Sequence, residues 1–253
     1  YNYDRINWFI GEFMSGHSKW NNIKRTKEKS DAQKGKIFTK IGREIAVAVK
    51  AGGADPVTNP RLQALVAKAK QANMPNDTIT RSIKKASGEL GNVNYEEVLY
   101  EGYGVGGSAV IVKCLTDNKN RTAGDVRHTF DKFGGSLGTI GCVSFMFDNK
   151  GIIILEKDNK LTEDDIFMAA VEAGADDVCE NEDSWEISCA PNMLDNVQKA
   201  LKDIGGNVLS AETEMVAQNY VDLDEKQLET FTRMTDMFED NDDIQEIYHN
   251  VNM

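Results

Sequence analysis

Lysine and arginine side chains are concentrated in residues 19–43 of the chain. Such cationic groups neutralise phosphates and release the counterions condensed on a nucleic acid, which gives an affinity that falls steeply with salt. This stretch is therefore the candidate nucleic-acid-binding site, and its cationic members are Lys19, Lys24, Arg25, Lys27, Lys29, Lys34, Lys36, Lys40 and Arg43. The alternative interpretation is a solvated helix face that follows a disordered arm.

One aromatic side chain, Trp20, lies within the basic stretch. Aromatic rings stack on the bases of single-stranded nucleic acids, and Trp20 joins the candidate site for that reason. Its neighbours Asn21 and Asn22 can hydrogen-bond to phosphate, sugar or base edges, although asparagine suits a turn equally well. The competing interpretation places the Trp20 ring inside the helical bundle.

Residue groupings typical of catalysis or metal binding are missing from the sequence. The three histidines are scattered, and the four cysteines have no metal-ligand spacing, so we expect buried, reduced thiols in strands. The glycine-rich segment Gly102–Gly107 precedes a strand, whereas a dinucleotide-binding loop needs a strand before the glycines and a helix after them, so a tight turn is expected. We therefore expect a protein that is not an enzyme and that uses no cofactor and no metal.

The net charge of −12 argues by itself against a polyanionic partner. The charge is unevenly distributed, however. Residues 14–90 carry 16 lysines and arginines against 6 aspartates and glutamates, a net of +10, whereas residues 91–253 carry 12 against 33, a net of −21. Such asymmetry is typical of a chain with one polyanion-binding module.

Three amphipathic helices are predicted after a basic, aperiodic arm over residues 15–30, with breaks at Gly52-Gly53 and Met74-Pro75. On the first helix, which begins at Asp31, the apolar face and a cationic stripe lie on different sides. The stripe falls within a sector of roughly 80°, at about 100° per residue. It consists of Lys36, Lys40, Arg43 and Lys50.

An α/β pattern follows the helices. Residues 149–212 are predicted to run strand-helix-strand-strand-helix-strand, the ferredoxin-like order. Two strand-helix-strand units flank them, one over residues 108–147 with strands at 108–115 and 142–147, and one over residues 215–248 with strands at 215–223 and 244–248. The prediction is an α+β multidomain protein, with an N-terminal three-helix bundle followed by two ferredoxin-like α/β domains, the last one inserted into the middle one. Its domains are a basic helical domain (14–91), a discontinuous α/β domain (92–148 plus 213–253) and the inserted domain (149–212).

The chain has neither a run of about 18 apolar residues nor a secretory signal, so we expect a cytoplasmic protein with no membrane partner. The cysteine content agrees with a reducing compartment. A monomer is our working assumption. Residues 1–13 precede a plausible start at Met14, and Glu12-Phe13 is what a common cloning site encodes, so we expect this segment to be a cloning-derived tail.

Short motifs along residues 14–253 resemble those of the YebC/PmpR family. They are Gly16–Lys24 (GHSKWNNIK), Lys34–Lys40 (KGKIFTK), Arg43–Ile45 (REI), Asn73–Pro75 (NMP), Tyr100–Gly104 (YEGYG), Asn118–Thr122 (NKNRT), Asp125–His128 (DVRH), Asp242–Gln245 (DDIQ) and Tyr248–Asn250 (YHN). Departures are small: Val105 stands where the family usually has proline, Ser15 replaces a usual alanine, and Phe133 replaces a polar residue. None of them replaces a lysine or arginine of the basic arm.

The resemblance implies a three-domain protein that regulates gene expression. It does not decide which nucleic acid is bound, because family members have been assigned to different targets. Bacterial members are usually described as probable DNA-binding transcriptional regulators. A mitochondrial relative is a translational activator of a cytochrome oxidase subunit, and bacterial members have been assigned to the rescue of ribosomes stalled on difficult sequences.

Both targets therefore stay open: duplex DNA, bound by a transcriptional regulator of the YebC type, and ribosomal RNA, bound by a ribosome-associated translation factor. The sequence offers no defensible helix-turn-helix spacing and no dimerisation repeat, which weighs against an operator-binding protein. A basic arm with an aromatic residue, ahead of acidic domains, suits insertion into an RNA-lined site.

Overall fold

The protein was analysed as a computed structural model, which describes residues 31–88, 94–158 and 160–252. Its first three elements are the helices α1 (Asp31–Gly52), α2 (Pro60–Gln71) and α3 (Asn76–Ala86). Asn59 caps α2 by accepting a hydrogen bond from the Leu62 amide, and its own amide donates to the Ala48 and Gly53 carbonyls at 2.9 Å. One side chain thus ties the end of α1 to the start of α2. The three helices share a buried core formed by Ile41, Ile45, Val49, Leu62, Leu65, Ala69 and Ile79.

The middle domain is a four-stranded sheet covered by two helices. Its elements are β1 (Glu96–Tyr103), β2 (Ala109–Thr116), α4 (Lys119–Lys132), β3 (Ser136–Leu137), α7 (Glu225–Glu239) and β8 (Ile244–His249). The strand order is β3-β1-β2-β8, and all neighbours are antiparallel. Phe130 of α4 meets Phe238 of α7 edge to face, with 5.2 Å between ring centroids, so the two helices share one core.

The inserted domain carries the second four-stranded sheet. Its elements are β4 (Phe147–Glu156), α5 (Glu163–Glu172), β5 (Ala175–Glu180), β6 (Ser184–Cys189), α6 (Leu194–Asp203) and β7 (Val208–Ala217). The order β5-β6-β4-β7, antiparallel throughout, is that of a ferredoxin-like βαββαβ unit. Its core includes Ile153, Leu155, Ile166, Ile187, Val197 and Leu201.

The strands β4 and β7 connect the two sheets. They pair from Phe147↔Ala217 to Leu155↔Val208. At the Phe147 end this pair packs on Ala109 and Ile111 of β2, forming a small core between the domains. The predicted fold class is therefore confirmed: a helical bundle is followed by two α/β domains, and the second is inserted into the first.

Two strand predictions are wrong, and one strand was not predicted. The apolar run over residues 142–147 is a turn and a 3-10 helix (Ser144–Met146), and the strand begins only at Phe147. The predicted strand over residues 215–223 is the end of β7, which stops at Ala217. Apolar and polar residues do not alternate clearly along strand β1, since its two buried residues are Glu101 and Gly102. The sequence pattern therefore does not predict this strand. The middle domain therefore begins with a β-hairpin.

The hairpin between β1 and β2 contains the predicted glycine-rich turn. Val105–Gly107 form a single 3-10 turn, and the backbone of Gly106 has a φ of 67°. A Cβ at Gly106 would lie 2.4 Å from Leu223, so both the conformation and the space require glycine. Within the described ranges, no helix has the length and apolar composition needed to cross a membrane.

Candidate nucleic-acid interface

The cationic stripe of α1 faces the middle domain. Lys36 pairs with the Asp240 carboxylate at 2.7 Å, and the Lys40 ammonium donates to the Glu239 carbonyl at 3.1 Å. Both acceptors lie at the C-terminal end of α7, where the helix dipole favours a cation. Two of the predicted nucleic-acid contacts are thus also contacts between domains.

Arg43, the third cation of the stripe, is largely buried, since only 13% of its side chain is exposed. Its guanidinium donates to the Asp243 carboxylate and, at 2.8 Å, to the Leu115 carbonyl. The same guanidinium lies 5.2 Å from the centre of the Tyr95 ring. These contacts fix α1 to the edge of the middle domain, where β2 ends and β8 begins.

Asp243 collects hydrogen bonds from both domains. Besides Arg43, it accepts from Arg121 at 2.7 Å, Thr122 at 2.7 Å and Thr116 at 3.1 Å. Burial by itself raises the pKa of this carboxyl, but the bonds from Arg121, Arg43 and Thr122 outweigh burial and lower its pKa to about 2. Asp243 is therefore ionised at neutral pH and acts as the acceptor at the centre of this junction.

A second contact joins the bundle to the inserted domain. Lys68 of α2 lies 3.3 Å from Glu44 and 3.2 Å from Glu212 of β7. Burial raises the pKa of Glu44 most, the Lys68 charge opposes this, and the charges of Glu246 and Glu212 raise it further. Lys68 is therefore held between two carboxylates at the meeting point of the bundle and the inserted domain.

Of the remaining predicted site residues, the structure describes only Lys34. Lys34 is exposed on the first turns of α1. The arm residues lie outside the described residues: Lys19, Trp20, Lys24, Arg25, Lys27 and Lys29. A role of the whole set in nucleic-acid binding stays a prediction.

The outer side of the bundle carries exposed cations that the sequence prediction missed. Arg81, Lys84 and Lys85 of α3 are exposed and follow the spacing i, i+3, i+4, which places them on one side of the helix. Arg61 and Lys70 of α2 are exposed as well. Within the described part of the chain, none of these five forms a salt bridge. The spacing in α3 could have identified them.

A loop in the middle domain is held by a buried acid. The Glu101 carboxylate accepts hydrogen bonds from the amides of Gly141, Val143 and Ser144 at 2.8–3.0 Å. Burial raises the pKa of Glu101, but these bonds prevail and lower it. On this loop, Ile140 is 86% exposed and Phe145 is 67% exposed.

The cysteines form no disulfide in the structure. Cys114 and Cys189 are buried in strands, and Cys142 and Cys179 are half-buried. Cys142 lies in the loop and not in a strand, contrary to the prediction. Burial and the charge of Asp243 raise the pKa of the Cys114 thiol to about 12. Over the described residues, no group of three or more histidine, cysteine, aspartate or glutamate side chains is placed to hold a metal.

Together these features define a class of protein: a cationic helical bundle fixed by ion pairs to two acidic α/β domains, one inserted into the other. The chain belongs to the YebC family. Residues 18–89 match the family's "TACO1/YebC protein N-terminal domain", and residues 95–251 match its "TACO1/YebC second and third domain".

Curated relatives and a solved structure agree with this assignment. A "probable transcriptional regulatory protein" of Acetivibrio thermocellus is 58% identical over 94% of this chain and 98% of its own length. One of the same name from Agathobacter rectalis is 57% identical, over 94% and 99%. The crystal structure of a conserved hypothetical protein from Aquifex aeolicus shares 41% identity and superposes with a TM-score of 0.82, over 92% of this chain and 96% of that one.

Proposed function

We propose that this protein is a nucleic-acid-binding regulator of gene expression, with its binding surface on the outer side of the helical bundle and the basic arm before it. The observation that carries the proposal is the row Arg81, Lys84 and Lys85 on α3. These cations point outward, whereas Lys36, Lys40 and Arg43 are bound to the middle domain. A row of exposed cations can neutralise successive phosphates.

Duplex DNA is the first candidate target, which makes the protein a transcriptional regulator of the YebC type. The names of the curated relatives support it. The residue spacing in the sequence gives no helix-turn-helix signature, but a second argument comes from the connection between α2 and α3, where four residues separate two helices that both pack on α1. This is the connection length of helix-turn-helix units, in which the second helix enters the major groove.

Ribosomal RNA is the second candidate, which makes the protein a translation factor. The charge distribution supports it, since the acidic domains that follow residue 90 carry a net charge of −21. Ion pairs fix the bundle to these domains, so that only one end of the molecule can approach a crowded polyanion. For either target, we propose that the protein binds nucleic acid without catalysing a reaction and without a cofactor. We also propose that it acts in the cytoplasm as a monomer.

Charge reversal on α3 tests the binding surface. The variant Arg81→Glu with Lys84→Glu should bind a labelled duplex and purified ribosomes about tenfold or more weakly. On duplex DNA its salt dependence should be flatter by about 0.9 for each phosphate that the variant no longer neutralises. The matched control is Lys199→Glu with Lys202→Glu on α6, two exposed cations of the inserted domain. An unchanged salt dependence in the α3 variant contradicts the proposed surface.

The same proteins separate the two targets. Co-sedimentation with ribosomes at moderate salt that requires the α3 cations supports the translation factor. Protein that stays off ribosomes but shifts one duplex at nanomolar concentration, with sensitivity to mutations in that duplex, supports the transcriptional regulator.

A further inference from the structure

Helix α5 of the inserted domain is apolar on two opposite sides. Its inner side packs Ile166 and Ala170 into the domain core. Its outer side carries Phe167, Met168 and Val171, which are 50%, 56% and 46% exposed. A helix on the surface of a globular protein normally has a polar outer face, because only one side is covered. The outer side of α5 is therefore built for a contact that the described residues of this chain do not make.

The exposed side chains form one continuous ridge. Asp164, Phe167, Met168, Val171 and Glu172 follow the spacing i, i+3, i+4, i+7, i+8, which aligns them along one side of the helix. The ridge is thus apolar in the middle and acidic at both ends, over about 12 Å at 1.5 Å per residue. A capping box between Thr162 and Asp165 fixes the start of the helix, so the ridge is preorganised.

The surroundings of the ridge are strongly acidic. Residues 149–212 carry 15 aspartates and glutamates against 5 lysines and arginines, a net of −10. Asp176 and Asp177, both exposed, lie near the start of β5, four and five residues after the end of the helix. This field repels a nucleic acid and favours a cationic partner. A second copy of the chain bound to the same face through a two-fold axis would place carboxylates opposite the carboxylates of Asp164 and Glu172, and these like charges would repel.

We propose that the outer face of α5 is a docking site for a basic amphipathic segment of another protein. Apolar side chains of that segment cover Phe167, Met168 and Val171, and its lysines or arginines meet Asp164 and Glu172. This mode resembles the docking of amphipathic helices onto apolar surfaces, with charge at the rim setting orientation. The proposed nucleic-acid-binding regulator would then have a second surface, on its acidic inserted domain, that binds a protein and repels nucleic acid.

The test uses a fluorescein-labelled helical peptide of leucine and lysine with an amphipathic pattern, titrated with the full chain and followed by anisotropy. Phe167→Ser with Val171→Ser, and separately Asp164→Lys with Glu172→Lys, should each weaken binding about tenfold or more, since each removes one half of the recognition. A leucine–glutamate peptide of the same pattern should not bind. Hydrogen exchange should show protection over residues 163–172 when the lysine peptide is bound.

Matched controls distinguish binding at the ridge from nonspecific binding to any exposed apolar side chain or to any acidic surface. Ile140→Ser removes another exposed apolar side chain, and Asp195→Lys with Asp203→Lys reverses two exposed acids of α6 in the same domain. Both variants should bind the peptide as the parent does. Peptide binding that is indifferent to the α5 changes, or equally reduced by the controls, overturns the proposal.

Two further outcomes also overturn it by identifying another occupant. A dimer that forms at micromolar concentration and is lost in the Phe167→Ser, Val171→Ser variant assigns the face to a second copy. Protection of α5 in the free full-length chain that disappears when residues 1–30 are removed assigns it to the chain's own basic arm. A dimer through α5 does not bear on nucleic-acid binding. An arm bound to α5 would remove the arm from the proposed nucleic-acid surface, but it would leave the α3 cations, which the α3 variants test separately.

Discussion

Arg43 on α1 and Asp243, the residue immediately before β8, form an ion pair between positions that are 200 apart in the chain. Arg121 of α4 donates to the same carboxylate. Three separate motifs, REI at Arg43, NKNRT at Arg121 and DDIQ at Asp243, therefore meet at one buried acid. The pair fixes the helical bundle to the middle domain and withdraws one cation from the predicted binding stripe.

Removal of the central acceptor should destabilise the protein. In Asp243→Asn, the buried Arg43 loses its carboxylate partner, and a broken buried ion pair costs about 3 kcal/mol of unfolding free energy. Denaturant unfolding monitored by circular dichroism measures this loss. Asp242→Asn, a change at the exposed neighbouring residue, is the control and should be nearly neutral. Equal stability of the two variants would show that the junction contributes little.

The pH dependence follows from the lowered pKa of Asp243. Between the ordinary aspartate pKa of about 4 and the folded-state pKa of about 2, the unfolded chain binds the extra proton. The stabilisation is therefore fully present above about pH 5 and is lost as pH falls towards 2. We expect the unfolding free energies of the parent and of Asp243→Asn to converge over this interval. Parallel pH curves would contradict the assigned ion pair.

The loop held by Glu101 should loosen when its carboxylate becomes an amide. Glu101→Gln replaces one acceptor oxygen by a donor that faces the loop amides of residues 141–144, at a cost of about 1–3 kcal/mol. Amide hydrogen exchange should accelerate over residues 138–146 and stay unchanged in α1–α3. Glu97→Gln, an exposed acid on the same strand, serves as the matched change. Unaltered loop exchange in Glu101→Gln would refute the anchoring role.

The basic arm and the α1 stripe should respond differently to mutation. Lys24→Glu with Lys27→Glu is expected to weaken nucleic-acid binding by about tenfold or more and to flatten its salt dependence, without loss of stability. Arg43→Gln is expected to lower the unfolding free energy and to leave the salt dependence nearly unchanged, because Arg43 is already paired with Asp243. The reverse pattern would place the phosphate contacts on the stripe.

Much of the fold could be predicted from local pattern. Proline and asparagine at the start of α2, the capping box of α5 and the helical spacing of apolar residues each act within one or two turns, so the predicted helices end within a few residues of the observed ones. Strand β1 and the loop after β3 could not be predicted, because their burial depends on distant partners. Glu101 is buried where the amides of Gly141 and Ser144, 40 and 43 positions further along the chain, donate to its carboxylate.

The sequence by itself determined the three-part division and the separation of charge, since both are sums over contiguous segments. It also determined that α1 has a cationic side. Only the tertiary structure decided what that side faces, and it placed Lys36, Lys40 and Arg43 against Asp240, Glu239 and Asp243. The physical reason is that helical periodicity fixes which residues share a face, whereas the partner of that face is set by contacts about 200 positions away, which no local pattern encodes.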